Sequence, residues 1–170
     1  MSDVPAGAAG NDAAATPSPP WTRLVGGLVD FVVIAVVVEA VASAWTTAQH
    51  ENGGAVVRPT TAAYALALML RALYHVVGVG AFGTTIGKRL MGLRVVRATD
   101  GGRLGWARAL VRFLVADLGW MVAWFAPRSW GGAANIGWVV LNVAVYLPIV
   151  LDPRSRGLHD RLSGAVVVRS

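Results

Sequence analysis

Residues 24–45 read LVGGLVDFVVIAVVVEAVASAW, and this stretch decides the fold. It is about 22 residues long and almost wholly apolar, enough for one helix to cross a hydrocarbon core about 30 Å thick. Two carboxylates interrupt it, Asp30 and Glu39. Because an ionisable side chain inside a span is costly and usually faces protein or water, the stretch predicts a membrane helix with a polar side.

The composition of the whole chain agrees with a membrane protein. Of the 170 residues, 55% are hydrophobic and 14% are charged, whereas soluble domains carry roughly a quarter charged residues. The length fits one domain. The chain has no cysteine, which excludes disulfides, thiolate metal sites and a cysteine nucleophile.

Three further apolar segments follow the first. The predicted spans are 24–45, 61–82, 107–126 and 133–151. The third is amphipathic at its start, where Arg108 and Arg112 lie four residues apart. A surface or re-entrant helix therefore remains an alternative to a full crossing there.

The distribution of basic residues sets the expected topology. They concentrate between the second and third spans and in the C-terminal tail: Lys88, Arg89, Arg94, Arg97, Arg103, Arg154, Arg156, Arg161 and Arg169. Basic loops stay cytoplasmic, so both segments share a side only if an even number of crossings separates them. The expectation is an all-α protein of the bacterial inner membrane with about four spans and both termini in the cytoplasm. Lys88 and Arg89 are expected to anchor the loop and contact anionic lipid headgroups.

Smaller elements are expected outside the spans. Residues 93–106, LRVVRATDGGRLGW, indicate strand, turn and strand, and the C-terminal AVVVRS is expected to pair with residues 93–97 in a small cytoplasmic sheet. Residues 1–20 are rich in Ala, Gly, Pro and Ser, which is typical of a flexible tail before a domain over 21–170. Residues 46–60 are interpreted as a polar loop.

Ionisable residues within the spans form the candidate site. Matching their depths along antiparallel helices pairs Asp30 with His75, and Arg71 with Asp117. Glu39 falls on the opposite helix face from Asp30. The functional interpretation is a pathway for a proton, cation or polar ligand through Asp30, His75, Arg71 and Asp117. The alternative is a set of buried ion pairs that fixes helix register.

Enzymatic interpretations find little support in the motifs. The loop GTTIGKR, residues 83–89, has three residues rather than four between its glycines, and Arg89 stands where a phosphate-binding loop needs a hydroxyl. His159 and Asp160 lack the further ligands of a metal site. The expectation is no enzyme, no cofactor, no metal and no nucleic-acid partner.

Three blocks of the sequence together resemble the RDD family of small bacterial membrane proteins, named for one arginine and two aspartates. They are WTRLVGGLVDFVV, FGTTIGKRLMGLRVVRATDGG and RGLHDRLSGAVVV, within about residues 21–169. The resemblance implies Arg23 as the arginine and Asp30 as the first aspartate. Asp160 is taken as the second, with Asp152 as the other choice. The implied loop motif comprises Gly83, Thr85, Gly87, Lys88 and His159.

The resemblance also implies a functional class. Transport is suspected for the family, ion antiport is proposed for some members, and others resemble accessory subunits encoded beside lipid-import systems. The expected function is transport, or a part in a transport complex, with a homo-oligomer or larger assembly in the bilayer. Asp30 would bind the cation or proton, and Arg23 and Asp160 would organise the cytoplasmic mouth. The alternative is an assembly subunit without transport activity of its own.

Overall fold

The computed structural model describes residues 17–51, 53–125 and 130–170. Within that part of the chain, eight helices and four strands follow one another. The order is α1 (Pro20–Ala44), β1 (Thr46–Glu51), β2 (Gly54–Pro59), α2 (Thr61–Phe82), α3 (Ile86–Leu90), β3 (Leu93–Arg97), α4 (Trp106–Ala116), α5 (Leu118–Phe125), α6 (Gly132–Tyr146), α7 (Pro148–Leu151), α8 (Leu158–Ser163) and β4 (Ala165–Arg169). The first sixteen residues of the expected tail lie outside the described residues.

Two helices, α1 and α2, are long and apolar enough to cross a membrane, in agreement with the first two predicted spans. Helix α1 starts at Pro20, where proline supplies the helical φ and loses no hydrogen bond. Helix α2 starts after Thr60, whose side chain accepts a hydrogen bond from the Ala63 N–H at 3.1 Å. It ends at Gly83, whose φ of +69° is the left-handed cap that glycine allows.

The third and fourth predicted spans are each divided between two helices. Asp117 separates α4 from α5, and Leu147 with Pro148 separates α6 from α7. Each piece alone is too short for a crossing. The structure therefore contains two candidate spans, and four crossings are not confirmed by helix length.

The expected pairing of the chain's end is confirmed. Strands β3 and β4 are antiparallel, with Leu93 opposite Arg169 and Arg97 opposite Ala165. The hairpin expected within residues 93–106 was wrong in its second half, because that half contributes only an isolated bridge between Val96 and Arg103. Strand β3 pairs with β4 rather than with the residues after its own turn, because β4 is rich in valine, which fits a half-buried strand.

The boundary of the expected tail also needs correction. Ser18 is 1% exposed, and its N–H donates to the Val167 carbonyl at 3.1 Å. Pro17 bridges Val168 on the same edge of β4. Residues 17–20 are therefore part of the packed domain, and they partly cover an edge strand that would otherwise be open.

A second antiparallel sheet, the hairpin β1–β2, replaces the polar loop expected at residues 46–60. The sequence held a signal for it. Asn52-Gly53 is a dipeptide typical of hairpin turns, and it lies between two runs that contain the β-branched residues Thr46, Thr47, Val56 and Val57. Gly53 has φ +83°, the conformation that such turns require.

The best-packed core joins the β3–β4 sheet to the end of α2 and the start of α4. It contains Val79, Leu93, Val95, Leu104, Ala109, Ala165 and Val167. Because this sheet is fixed on the helices at one end of the molecule, the polar residues that flank it are held close to those of α1, α2 and α4.

Candidate functional site

A cavity of about 380 Å³ lies among the helices and brings most of the predicted ionisable residues together. Its walls include apolar side chains of α1, α4 and α5, such as Leu28, Phe113 and Trp120. Six arginine, lysine and aspartate residues line it: Arg23, Asp30, Arg71, Lys88, Arg112 and Asp117. Its size falls within the range of small-molecule sites.

Asp160 joins three helices at one end of this cavity. It is 0% exposed and forms ion pairs with Arg23 of α1 and with Arg112 of α4, the latter at 2.9 Å from Nε to Oδ1. It also accepts from the Gly157 N–H at 3.3 Å and so caps its own helix, α8. A single carboxylate therefore ties α1, α4 and α8 together.

The protonation states of His159 and Asp160 follow from their surroundings. Burial lowers the pKa of His159 to about 3, despite the neighbouring Asp160 carboxylate, so the imidazole is neutral at pH 7. Burial alone would raise the pKa of Asp160. The positive field of its neighbours, above all Arg112 and Arg23 once His159 is neutral, outweighs burial and holds that pKa below its usual value.

Asp30 joins α1 to α2 and to the loop that holds α3. Its Oδ1 accepts from the Tyr74 hydroxyl at 2.6 Å and the Gly87 N–H at 2.8 Å. Its Oδ2 accepts from the Thr85 hydroxyl at 2.5 Å and from Lys88 Nζ at 2.9 Å. Each oxygen thus has two donors, which uses the approximately four acceptor positions of a carboxylate.

Glycines allow that loop to approach α1. A Cβ on Gly87 would collide with the Gly26 carbonyl and lie 2.8 Å from the Asp30 N. Gly83 forms a turn with φ +69°, whereas Gly87 is helical and is required for close approach rather than for a turn. This is the physical reason for two glycines flanking Thr85.

The expectation that Lys88 contacts lipid headgroups was wrong. Its side chain is 11% exposed and pairs with Asp30. Burial, with the nearby charge of Arg112, lowers the pKa of Lys88. The following residue, Arg89, is exposed. The lysine therefore belongs to the interior network.

The second predicted pair forms, and the first does not. Arg71 Nε donates to Asp117 Oδ1, and its guanidinium carbon lies 5.6 Å from the centroid of Trp120. Within the described residues the ion-pair partner of Asp30 is Lys88 rather than His75. His75 instead stacks on Phe113, with ring centroids 6.2 Å apart. Depth matching found the correct level but could not show that the loop after α2 folds back onto α1.

Two residues of the buried ion-pair and hydrogen-bond network were missed, Tyr74 and Arg112. Tyr74 lies next to His75 at the depth of Asp30, so the same depth argument could have found it. Arg112 was treated only as part of an amphipathic face. Arg108 on that face is exposed, but Arg112 is 7% exposed and pairs with Asp160. Glu39, expected to face away from Asp30, is exposed.

No group of three or more metal-ligating side chains occurs in the part of the chain that the structure describes. The buried ionisable residues serve one another as ion-pair and hydrogen-bond partners. The arrangement can hold charge within an apolar bundle and bind a polar or charged ligand in the cavity beside it.

The fold and the site together define the class: a helical membrane protein with two apolar helices of spanning length and an internal network of ion pairs. The sequence matches the profile of the RDD family over residues 17–164. The chain therefore belongs to the RDD family. Comparison with curated proteins and with solved structures finds no match.

Proposed function

We propose that this protein works in transport across the bacterial cell membrane and holds a polar or charged ligand in its internal cavity. The observation that carries the proposal is the cavity of about 380 Å³, walled by four cations and two carboxylates among apolar helices. Ionisable groups at membrane depth are costly and commonly mark ligand or ion pathways.

The proposal includes four crossings of the membrane. Helices α4 and α5 together cover residues 106–125, and α6 and α7 cover residues 132–151. At about 1.5 Å per residue each pair reaches about 30 Å, the thickness of the hydrocarbon core. Hydrogen bonds continue through the first break, from Asp117 N–H to the Phe113 carbonyl and from Met121 N–H to the Asp117 carbonyl, both 2.9 Å. In this proposal both termini and the β3–β4 sheet lie in the cytoplasm.

Asp30 and Asp160 serve in this proposal as framework residues that hold the cavity's walls. The earlier hypothesis, in which Asp30 carries the moving cation, stays a prediction. Full occupation of both Asp30 oxygens favours the framework role. The exposed apolar faces of α1 and α2 leave room for further subunits, so the chain is proposed to act as an oligomer or within a larger transport complex.

The topology can be tested directly because the natural chain has no cysteine. Thr47→Cys places a thiol in the exposed β1–β2 hairpin, and Thr99→Cys places one in the exposed turn after β3. In intact cells, a membrane-impermeant maleimide should label only Thr47→Cys. After lysis it should label both. Equal labelling of both thiols in intact cells would contradict the proposed orientation.

Transport itself is tested by purified protein in liposomes on a solid-supported membrane, with jumps of sodium chloride, sodium acetate, sodium phosphate and pH. A current is expected for at least one jump. Gly27→Leu should abolish it, because Gly27 lines the cavity and a Cβ there meets nothing within 4 Å. Gly132→Leu is the matched control, at an open helical position away from the cavity.

The alternative of an assembly subunit predicts a different pattern. It requires no current for any jump, together with recovery of a larger complex from native membranes by affinity purification. If no jump gives a current and no complex is recovered, both the transport role and the accessory role are contradicted.

A further inference from the structure

The charges at the Asp160 end of the cavity do not balance. Three cations lie there, Arg23, Lys88 and Arg112, and they share two carboxylates, Asp30 and Asp160. By contrast, Arg71 and Asp117 further along the cavity form a one-to-one pair. A buried charge without a counter-charge is expensive, so this end of the cavity favours an added negative charge.

A further carboxylate whose charge acts on Arg23, that of Asp152, is already engaged. Asp152 accepts from Arg161 at 2.9 Å and from Arg156 at 3.3 Å. The group of one carboxylate and two arginines therefore carries a net positive charge. The excess positive charge beside Asp160 is not neutralised by it.

Hydrogen-bonding capacity remains where the charge excess lies. Arg23 is 7% exposed, and its Nη1 has no hydrogen-bond partner in the described part of the chain, although its Nη2 binds Asp160. The His159 ring also lines the cavity, is 3% exposed, and its Nδ1 has no partner among the same residues. A buried polar atom without a hydrogen-bond partner is costly. Arg23 Nη1–H needs an acceptor. The neutral His159 ring directs Nε2 to Asp160 Oδ1 at 3.4 Å, so its Nδ1 needs a donor, and both atoms point to a ligand with oxygen atoms.

The charge excess and these two atoms point to one ligand chemistry. We infer that the cavity binds an anion, a carboxylate or a phosphate, which Arg23, Lys88 and Arg112 hold as counter-ions. The Arg23 Nη1–H donates to one anion oxygen, and a protonated oxygen or a bridging water donates to His159 Nδ1. This inference rests on the proposed function, since it takes the cavity as the ligand site and names the ligand's class.

The remaining walls indicate that the anion carries an apolar group. Beyond these three cations, the cavity's lining includes the apolar Leu24, Leu28, Phe31, Phe113 and Trp120 as well as the polar Arg71, Asp117 and Asn142. A bare inorganic anion would leave the apolar surfaces against water. An anion attached to a short alkyl or aromatic group would cover them and remove them from water.

The binding test uses the full chain in nanodiscs of phosphatidylcholine. The probes are hexanoate, 1-hexanol, hexylammonium and inorganic phosphate, and the readout is Trp fluorescence together with the unfolding temperature. Trp120 lines the cavity, so occupation should change its emission. Saturable binding of hexanoate, competed by phosphate and at least about tenfold tighter than hexanol or hexylammonium, is expected for a free anion.

A second arm distinguishes a lipid headgroup as the source of the anion. Native mass spectrometry of protein from mixed discs would show whether phosphatidylglycerol is retained over phosphatidylcholine. Preferential retention supports the inference with a headgroup as the anion, and hexanoate should then bind less tightly in phosphatidylglycerol discs. Equal responses to anion, alcohol and amine, or no response to any anion in either lipid, would overturn the inference.

Variants connect binding to the cavity. Gly27→Leu should remove the anion response, and Gly132→Leu should keep it. Arg23→Lys retains the charge but loses the second guanidinium nitrogen, so about a tenfold loss of affinity is expected. An unchanged affinity in both Gly27→Leu and Arg23→Lys would overturn the inference. Transport currents without anion binding would overturn the anion inference and leave the proposed transport function standing. Anion binding without currents and without a larger complex would overturn the transport proposal and leave the anion inference standing.

Discussion

Asp30 and Asp160 are both buried carboxylates of this protein, but they are satisfied in different ways. Asp30 accepts from two hydroxyls, one backbone N–H and one lysine. Asp160 accepts from two guanidinium groups and one backbone N–H. The stabilisation of the Asp30 carboxylate therefore depends on how closely a loop fits against it, and that of the Asp160 carboxylate depends on charge.

This difference separates two functions of buried charge. At Asp30 one cation meets one carboxylate, and the remaining donors are neutral, so the group is closed and balanced. At Asp160 two cations meet one carboxylate, and Arg23 Nη1 is left over among the described residues. A closed group favours a structural role, whereas an unbalanced group retains capacity to bind.

The largest effect is expected from Asp160→Asn. It leaves Arg23 and Arg112 buried without their counter-charge, and such changes cost about 3–5 kcal/mol. Thermal unfolding in detergent or nanodiscs measures the loss. Asp152→Asn is the matched control. Its partners Arg156 and Arg161 are 27% and 48% exposed, so its cost should be about 1 kcal/mol or less.

The same pair of variants tests whether Asp160 or Asp152 is the carboxylate that joins the helices. If Asp152→Asn destabilised the protein more than Asp160→Asn, Asp160 would not be the residue that joins the helices. Equal stability of Asp160→Asn and the natural protein would contradict the charge argument altogether.

Tyr74→Phe should have the next largest effect and probes the Asp30 group. The Tyr74 hydroxyl donates to Asp30 and accepts from the Ile86 N–H at 3.1 Å. A hydrogen bond to a charged group contributes about 1.5–3 kcal/mol. Tyr146→Phe is the control, because its hydroxyl makes only a 3.4 Å contact with the Ala116 carbonyl. Similar losses of unfolding free energy in both variants would show that the hydrogen bond from Tyr74 to Asp30 contributes no more stability than the long contact of Tyr146.

Much of this contrast could be predicted from the sequence, and the part that could not has a physical cause. Hydropathy predicts α1 and α2, and depth matching predicts the Arg71–Asp117 pair. The Lys88–Asp30 pair escaped because it depends on the loop after α2 folding back onto α1. The Arg112–Asp160 pair escaped because Asp160 lies in the short helix α8, outside the predicted spans, and depth matching compares only residues within spans.

The loop's fit to α1 is tested by Gly87→Ala. The added Cβ would collide with the Gly26 carbonyl and crowd Asp30, and overpacking of this kind costs about 1–3 kcal/mol. Gly27→Ala is the control, on the facing helix α1, where a Cβ meets nothing within 4 Å. It should stabilise the protein by about 0.5–1 kcal/mol, because alanine favours helix over glycine. Opposite signs in the two unfolding measurements are the expected result, and a neutral Gly87→Ala would contradict the close approach.

The last prediction is a pH dependence that His159 adds beside Asp160. Its pKa is about 3 in the folded protein, below the ordinary 6.5. The unfolded chain therefore binds one more proton between these values, and the free energy of unfolding falls as pH decreases from 6.5 toward 3. The slope from this residue is at most about 1.4 kcal/mol per pH unit. His159→Gln cannot titrate there, so unfolding measured between pH 7 and 5 should show a shallower decline than in the natural protein. Identical slopes would mean that His159 gains its proton in the folded state as readily as in the unfolded chain. A charged imidazole would then add to the positive excess beside Asp160, and His159 Nδ1 would be a donor to the anion rather than an acceptor.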